Sequence, residues 1–140
     1  MRYKSIVYHP YLRLNSLKKT ISPEDCLEEA LLLAKSLDIE VIISEVVRID
    51  KPNNSTLLNK GRLEDLAIKV KELEIDLVII DGKLTPIQQR NLERNIKVKV
   101  IDRTRLILDI FERRASTREG ALQVELAQLD YQKTRLVKSW

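Results

Sequence analysis

Residues 77–82 read Leu77-Val78-Ile79-Ile80-Asp81-Gly82, four aliphatic side chains in a row and then an acid and a glycine. A run with no polar alternation marks a strand buried on both faces, the situation of a central strand in a parallel sheet. Asp-Gly is a turn signal that stops it. Next, Thr85-Pro86 has the form of a helix start, with a hydroxyl N-cap and a proline at the first helical position. Strand, turn and helix start in immediate succession predict an α/β fold.

The pattern extends in both directions. Upstream, Ser5–Tyr8 reads as a first strand, and Ser22-Pro23-Glu24 opens a helix whose Leu27, Ala30, Leu31, Ala34 and Leu37 recur at helical spacing. Glu40–Ile49 reads as a second strand and residues 50–55 as a loop. Gly61 precedes a helix with Leu63, Leu66, Ala67, Val70 and Leu73 on one side. Downstream, Val98–Ile101 reads as a fourth strand. Strands alternating with helices predict a small, mostly parallel four-stranded sheet over residues 1–102, with helices on both faces.

After Asp102 the pattern changes. Leu106, Ile107, Ile110 and Phe111 form the stripe of a fourth helix. Leu122, Leu126, Leu129, Lys133, Leu136 and Trp140 then recur at alternating spacings of four and three, a heptad-like seam. Residues 103–140 thus read as a helical extension ending in a long helix, half of a helical hairpin or coiled coil. The seam still runs at Trp140, so the chain is expected to be part of a longer protein.

Composition narrows the function classes. With 33% charged residues and a net charge of +4, the chain is mildly basic, which permits an anionic partner such as RNA without requiring one. The single cysteine, Cys26, allows no internal disulfide and suits a reducing compartment. The first ten residues lack the apolar core of a signal peptide, and no apolar run approaches the roughly 20 residues needed to cross a bilayer. A cytoplasmic location is expected.

Several catalytic chemistries are missing. The glycines Gly61, Gly82 and Gly120 lie too far apart for a Walker phosphate loop or a dinucleotide fingerprint. One histidine, His9, and one cysteine cannot supply a structural zinc site. Cys26 falls in a first helical turn, but beside an apolar stripe it reads as core. His9, next to Pro10, reads as a strand-end polar residue. No catalytic or metal-ligating residue is expected in this chain.

Binding residues are more plausible. Lys60-Gly61-Arg62 beside a helix start could hold a phosphate, or could be a turn glycine between solvated charges. Asp81, at the C-terminal end of a central strand, could serve a ligand or order its turn. Arg103, Arg105, Arg113, Arg114 and Arg118 face only Asp109 and Glu112 in the same stretch, and Lys133, Arg135 and Lys138 continue the basic character. Arginine's planar fork suits phosphate. These eight are candidate RNA contacts, with an ion-paired surface as the alternative.

Leu58-Asn59-Lys60-Gly61-Arg62-Leu63-Glu64-Asp65-Leu66, Asp81 through Thr85-Pro86-Ile87-Gln88-Gln89-Arg90-Asn91-Leu92-Glu93, and Val100-Ile101-Asp102-Arg103-Thr104 resemble the HflX family. So does the run Arg114-Ala115-Ser116-Thr117-Arg118-Glu119-Gly120, continuing through Leu129. The resemblance implies the amino-terminal domain and start of the helical linker of a ribosome-associated GTPase. It implies contact with the large ribosomal subunit and its rRNA, a role in subunit separation, and restraint of a GTP-binding domain in the same protein. GTP and magnesium would be bound beyond Trp140, and no cofactor in this chain. Asn59 stands where the family commonly has glycine, and Thr134 where it often has proline. Two other readings stay open: an independent ATP- or GTP-binding domain, and a module whose last helix pairs with another chain or with its own copy.

Overall fold

A computed structural model describes residues 3–12 and 22–114 of the chain. It has eight elements: β1 (Tyr3–Leu12), α1 (Pro23–Lys35), β2 (Ile39–Ile49), α2 (Lys60–Glu72), β3 (Leu77–Ile80), α3 (Pro86–Ile96), β4 (Lys99–Asp102) and α4 (Arg103–Arg114). The sheet order is β2-β1-β3-β4, and all three pairings are parallel. The expected α/β architecture is therefore present, and its sheet is wholly parallel.

Helices cover both faces. On one, Leu66 and Val70 of α2 and Leu92 and Ile96 of α3 pack on Ile6, Tyr8, Val78, Ile80 and Val100. On the other, Ala30 and Ala34 of α1 and Leu106 and Ile110 of α4 pack on Val7, Ile79 and Ile101. Alternate residues of β1 and β3 enter opposite cores, as the pleat requires, so the unbroken apolar run at 77–80 serves both layers at once. Residues 103–114 are part of this packed body.

Local chemistry explains the helix starts. Ser22 accepts from the Asp25 amide with Pro23 behind it, and Thr85 and Gln88 form a reciprocal capping box before α3. α2 begins earlier than the sequence suggests, at Lys60 and not after Gly61. Asn59 is its N-cap, accepting from Arg62 N at 2.8 Å, so Gly61 lies inside the first turn. α4 starts directly from β4, with the Asp102 carboxylate accepting from Arg105 N at 3.0 Å. Its apolar stripe is shifted: Leu106, Leu108 and Ile110 are buried, while Phe111 is exposed. The expected seam from Leu122 to Trp140 lies outside the described residues.

The first strand is longer than Ser5–Tyr8 because β2 supports it beyond the end of β3. Residues His9 to Leu12 pair with Val46 to Ile49 after β3 has stopped. A register shift between Ser5 and Ile6 sets Ile42 of β2 out of the ladder. That bulge lies in an eleven-residue edge strand, where irregularity discourages pairing with another sheet.

Candidate functional site

All four strands end at one edge, and the chain changes direction there. From β1 it runs through α1 to β2 on one side. From β3 it runs through α3, on the opposite face, to β4 on the other side. Parallel α/β sheets bind ligands at such a switch point, between the diverging strand ends. Here that position holds His9, Pro10, Asp81 and Gly82. A Cβ on Gly82 would stand 3.0 Å from Pro10 Cγ, so the two segments pack closely. His9, expected as a strand-end group, is instead inside β1 and 5% exposed. Its Nδ1 lies 2.9 Å from Asp81 Oδ2 and 3.1 Å from the Asp81 carbonyl oxygen. The crevice is thus occupied by the protein's own side chains.

The network continues outward. Arg103 donates to the second Asp81 oxygen at 3.0 Å and to Glu29 of α1. Asp81 has a fully buried side chain, whereas Arg103 keeps about a third of its surface. Partial burial lowers the proton affinity of the Arg103 guanidinium, but the charges of Asp81 and Glu29 outweigh it, and its pKa ends above the ordinary value. Asp81 therefore orders the turn and ties β1, β3 and α4 together. His9 Nε2 is buried with no partner among the described residues, as is the Tyr8 hydroxyl on the opposite face. Burial pushes the Tyr8 phenol up. Cys26 is half-buried in the first turn of α1, in keeping with a packing role.

A second feature of the same edge is open. The end of β2 and the start of α2 enclose a cleft of about 370 Å³, lined by Val47, Arg48, Ile49, Asp50, Lys51, Leu58, Asn59 and Arg62. Arg62 is held 2.8 Å from Glu45, a bond that raises its pKa despite partial burial. Lys60 is exposed at the helix start. The Asn59 side chain already takes the Arg62 amide, so one of the first-turn donors that a phosphate would need is engaged. Asn59 thus supplies the cap itself.

The loop forming one wall of this cleft, between β2 and α2, is clamped. Gln88 of α3 donates to the Asn53 carbonyl at 3.1 Å, and Asn91 donates to the Ser55 carbonyl at 3.0 Å. Within the loop, Asn53 Oδ1 accepts from the amides of Ser55 and Thr56, and Thr56 Oγ1 donates to the Leu58 carbonyl. Leu57 is forced to φ 69°, a left-handed conformation that costs a branched residue about 1–2 kcal/mol. Burial of Leu57 and Leu58 at roughly 2 kcal/mol each outweighs that strain. Much of the motif Thr85 to Glu93 is a structural brace, while Ile87 is exposed. Gln89 donates to the Val100 carbonyl, and Glu93 accepts the Val100 amide. Sequence reasoning missed the roles of His9, Gln88 and Asn91.

The arginines expected to face RNA are placed as follows. Arg103 is engaged with Asp81 and Glu29, and Arg105 with Asp109 at 3.0 Å. Arg113 bridges to Asp38 at 2.7 Å and to the Ser36 carbonyl, bracing α4 against the end of α1. Arg114 is exposed. Arg118, Lys133, Arg135 and Lys138 lie outside the described residues. The structure does not bring Arg103 and Arg113 together, since they mark opposite ends of α4. Among the described residues no helix is long and apolar enough to cross a membrane, and no three His, Cys, Asp or Glu side chains cluster as metal ligands.

Comparison with known proteins agrees with this build. Residues 24–112 match the family described as GTP-binding GTPase N-terminal, and residues 114–140 match the GTP-binding GTPase middle region. The chain is an HflX-type GTPase N-terminal domain. It is 44% identical over 130 residues to GTPase HflX of Magnetococcus marinus, covering 91% of this chain and 30% of that protein. It is 43% identical over 114 residues to GTPase HflX of Escherichia coli, covering 81% of the chain and 27% of the relative. The HflX-type chain thus spans under a third of the length of these relatives. A GTP-binding protein from Sulfolobus solfataricus, solved in complex with GDP, superposes with a TM-score of 0.70 at 22% identity. That match covers 98% of this chain and 39% of the archaeal one, and speaks to the fold alone. The two family regions meet just before the end of α4, the last described element.

Proposed function

We propose that this domain is the docking and regulatory part of an HflX-type GTPase that grips the large ribosomal subunit through rRNA phosphates. In this reading the parent protein works in the cytoplasm and promotes subunit separation. The open cleft at the strand edge carries the proposal. Arg48, Lys51 and Arg62 line it and Lys60 flanks it, while the neighbouring switch point is filled by His9, Asp81 and Arg103. An edge built this way offers cations to a polyanion and leaves little room for a nucleotide at the switch point. Lys60, Gly61 and Arg62 remain the phosphate-facing candidates at the start of α2. Arg114, with Arg118, Lys133, Arg135 and Lys138 beyond it, would extend the basic surface along the linker. Arg103, Arg105 and Arg113 would contribute through donors left over from their ion pairs.

GTP and magnesium belong, on this reading, to a GTP-binding domain elsewhere in the parent protein, which the docked domain restrains. The described residues do not fit such a site. They include no glycine-rich phosphate loop and no metal-ligating cluster.

Co-sedimentation of the chain with isolated large and small ribosomal subunits tests the proposal. Pelleting with the large subunit only is expected, with no GTP turnover by the chain alone. Equal pelleting with both subunits, or none, would reject it.

A further inference from the structure

We infer that Gln88 and Asn91 of α3 are positioning residues for the cationic cleft, acting through the loop from Asp50 to Asn59. This rests on the docking role proposed above. The two ends of that loop supply cleft walls, Asp50 and Lys51 at one end and Leu58 and Asn59 at the other. Its middle is held from outside, where Gln88 Nε2 and Asn91 Nδ2 take the carbonyls of Asn53 and Ser55. Between those two anchors and Leu58 stands Leu57, at φ 69° and buried.

The consequence is a cleft whose shape is set from the neighbouring helix. Asn53 also closes on itself, exchanging backbone hydrogen bonds with Leu57 at 3.2 and 2.8 Å. With the carbonyls of Asn53 and Ser55 fixed, Lys51 and Asn59 are held at a constant separation across the loop. A polyanion then meets Lys51 and Arg62 already in place, and binding does not have to order the loop. Freeing the Ser55 carbonyl would return that ordering cost to the binding step.

Asn91→Ala is the direct test, because Asn91 lies on one side of α3 and caps nothing. The variant is measured for thermal midpoint, amide exchange at Ser55 to Leu57, and affinity for isolated large ribosomal subunits. The expected result is faster exchange at those amides and binding weaker by about fivefold, with the thermal midpoint nearly unchanged. Gln88→Ala should act in the same direction, though it also removes half of the α3 capping box. Lys51→Gln with Arg62→Gln is the parallel control on the cleft itself. Loss of binding in that control, with wild-type affinity in Asn91→Ala, would overturn the positioning role and leave the docking role standing. Wild-type affinity in the charge control would overturn both.

Discussion

His9 and Asp81 meet at the point where the sheet changes direction, the imidazole Nδ1 lying 2.9 Å from one carboxylate oxygen and 3.1 Å from the carbonyl of the same residue. Both partners are acceptors, so Nδ1 carries the proton. Asp81 uses its other oxygen for Arg103, and that arginine reaches Glu29 on α1. One buried carboxylate therefore fixes two strands, the start of α4 and, through Arg103, the neighbouring helix α1 on the same face.

Asp81→Ala should lower stability by about 3 kcal/mol, the low end of the cost of breaking a buried ion pair, because Arg103 stays partly solvated. Urea unfolding of the two proteins gives the difference. A loss under 1 kcal/mol would show that the network is decorative.

The cap of α2 separates two side chains that differ only in what they offer the helix. Asn59→Ala should cost about 1 kcal/mol, since the Arg62 amide loses its acceptor, while Asn59→Gly should cost only a few tenths. Thermal unfolding of both variants checks the order. If alanine and glycine cost the same, Asn59 is not acting as a cap.

Asp109 offers a test by pH. Burial raises its pKa, and the charges of Arg105 and Lys99 only partly offset this. A carboxyl whose folded pKa is raised binds more protons folded than unfolded, so its contribution to stability falls as pH rises through that interval. The window opens at the ordinary aspartate value of about 4 and closes above the folded value. Asp109→Asn lacks this slope, so the wild type should lose stability relative to the variant on going from pH 3 to pH 6. A relative gain over that range would reverse the assignment.

Much of this architecture is legible in the residue pattern. Leu77 to Ile80 could only be a strand covered on both sides, and Ser22-Pro23 and Thr85-Pro86 announce their helices by capping chemistry alone. The strand β1 is harder to read, because His9 and Pro10 break its apolar pattern and its last residues depend on β2 for support. The arginine stretch misleads for a related reason. Counted locally, arginines outnumber acids from Arg103 to Arg114, yet Arg103 and Arg113 find distant partners, Glu29 74 residues away and Asp38 75 residues away. Gln88 and Asn91 are invisible as a clamp because they bind backbone carbonyls 35 and 36 residues away, and a carbonyl has no residue identity.

The most direct measurement is the salt dependence of binding between this chain and isolated large ribosomal subunits. If Arg48, Lys51 and Arg62 meet phosphates, the logarithm of the association constant should fall linearly with the logarithm of salt concentration, with a slope of about −2 to −3. Replacing Lys51 and Arg62 by glutamine should flatten that slope by about 1 to 2. Binding that does not change with salt would contradict the account.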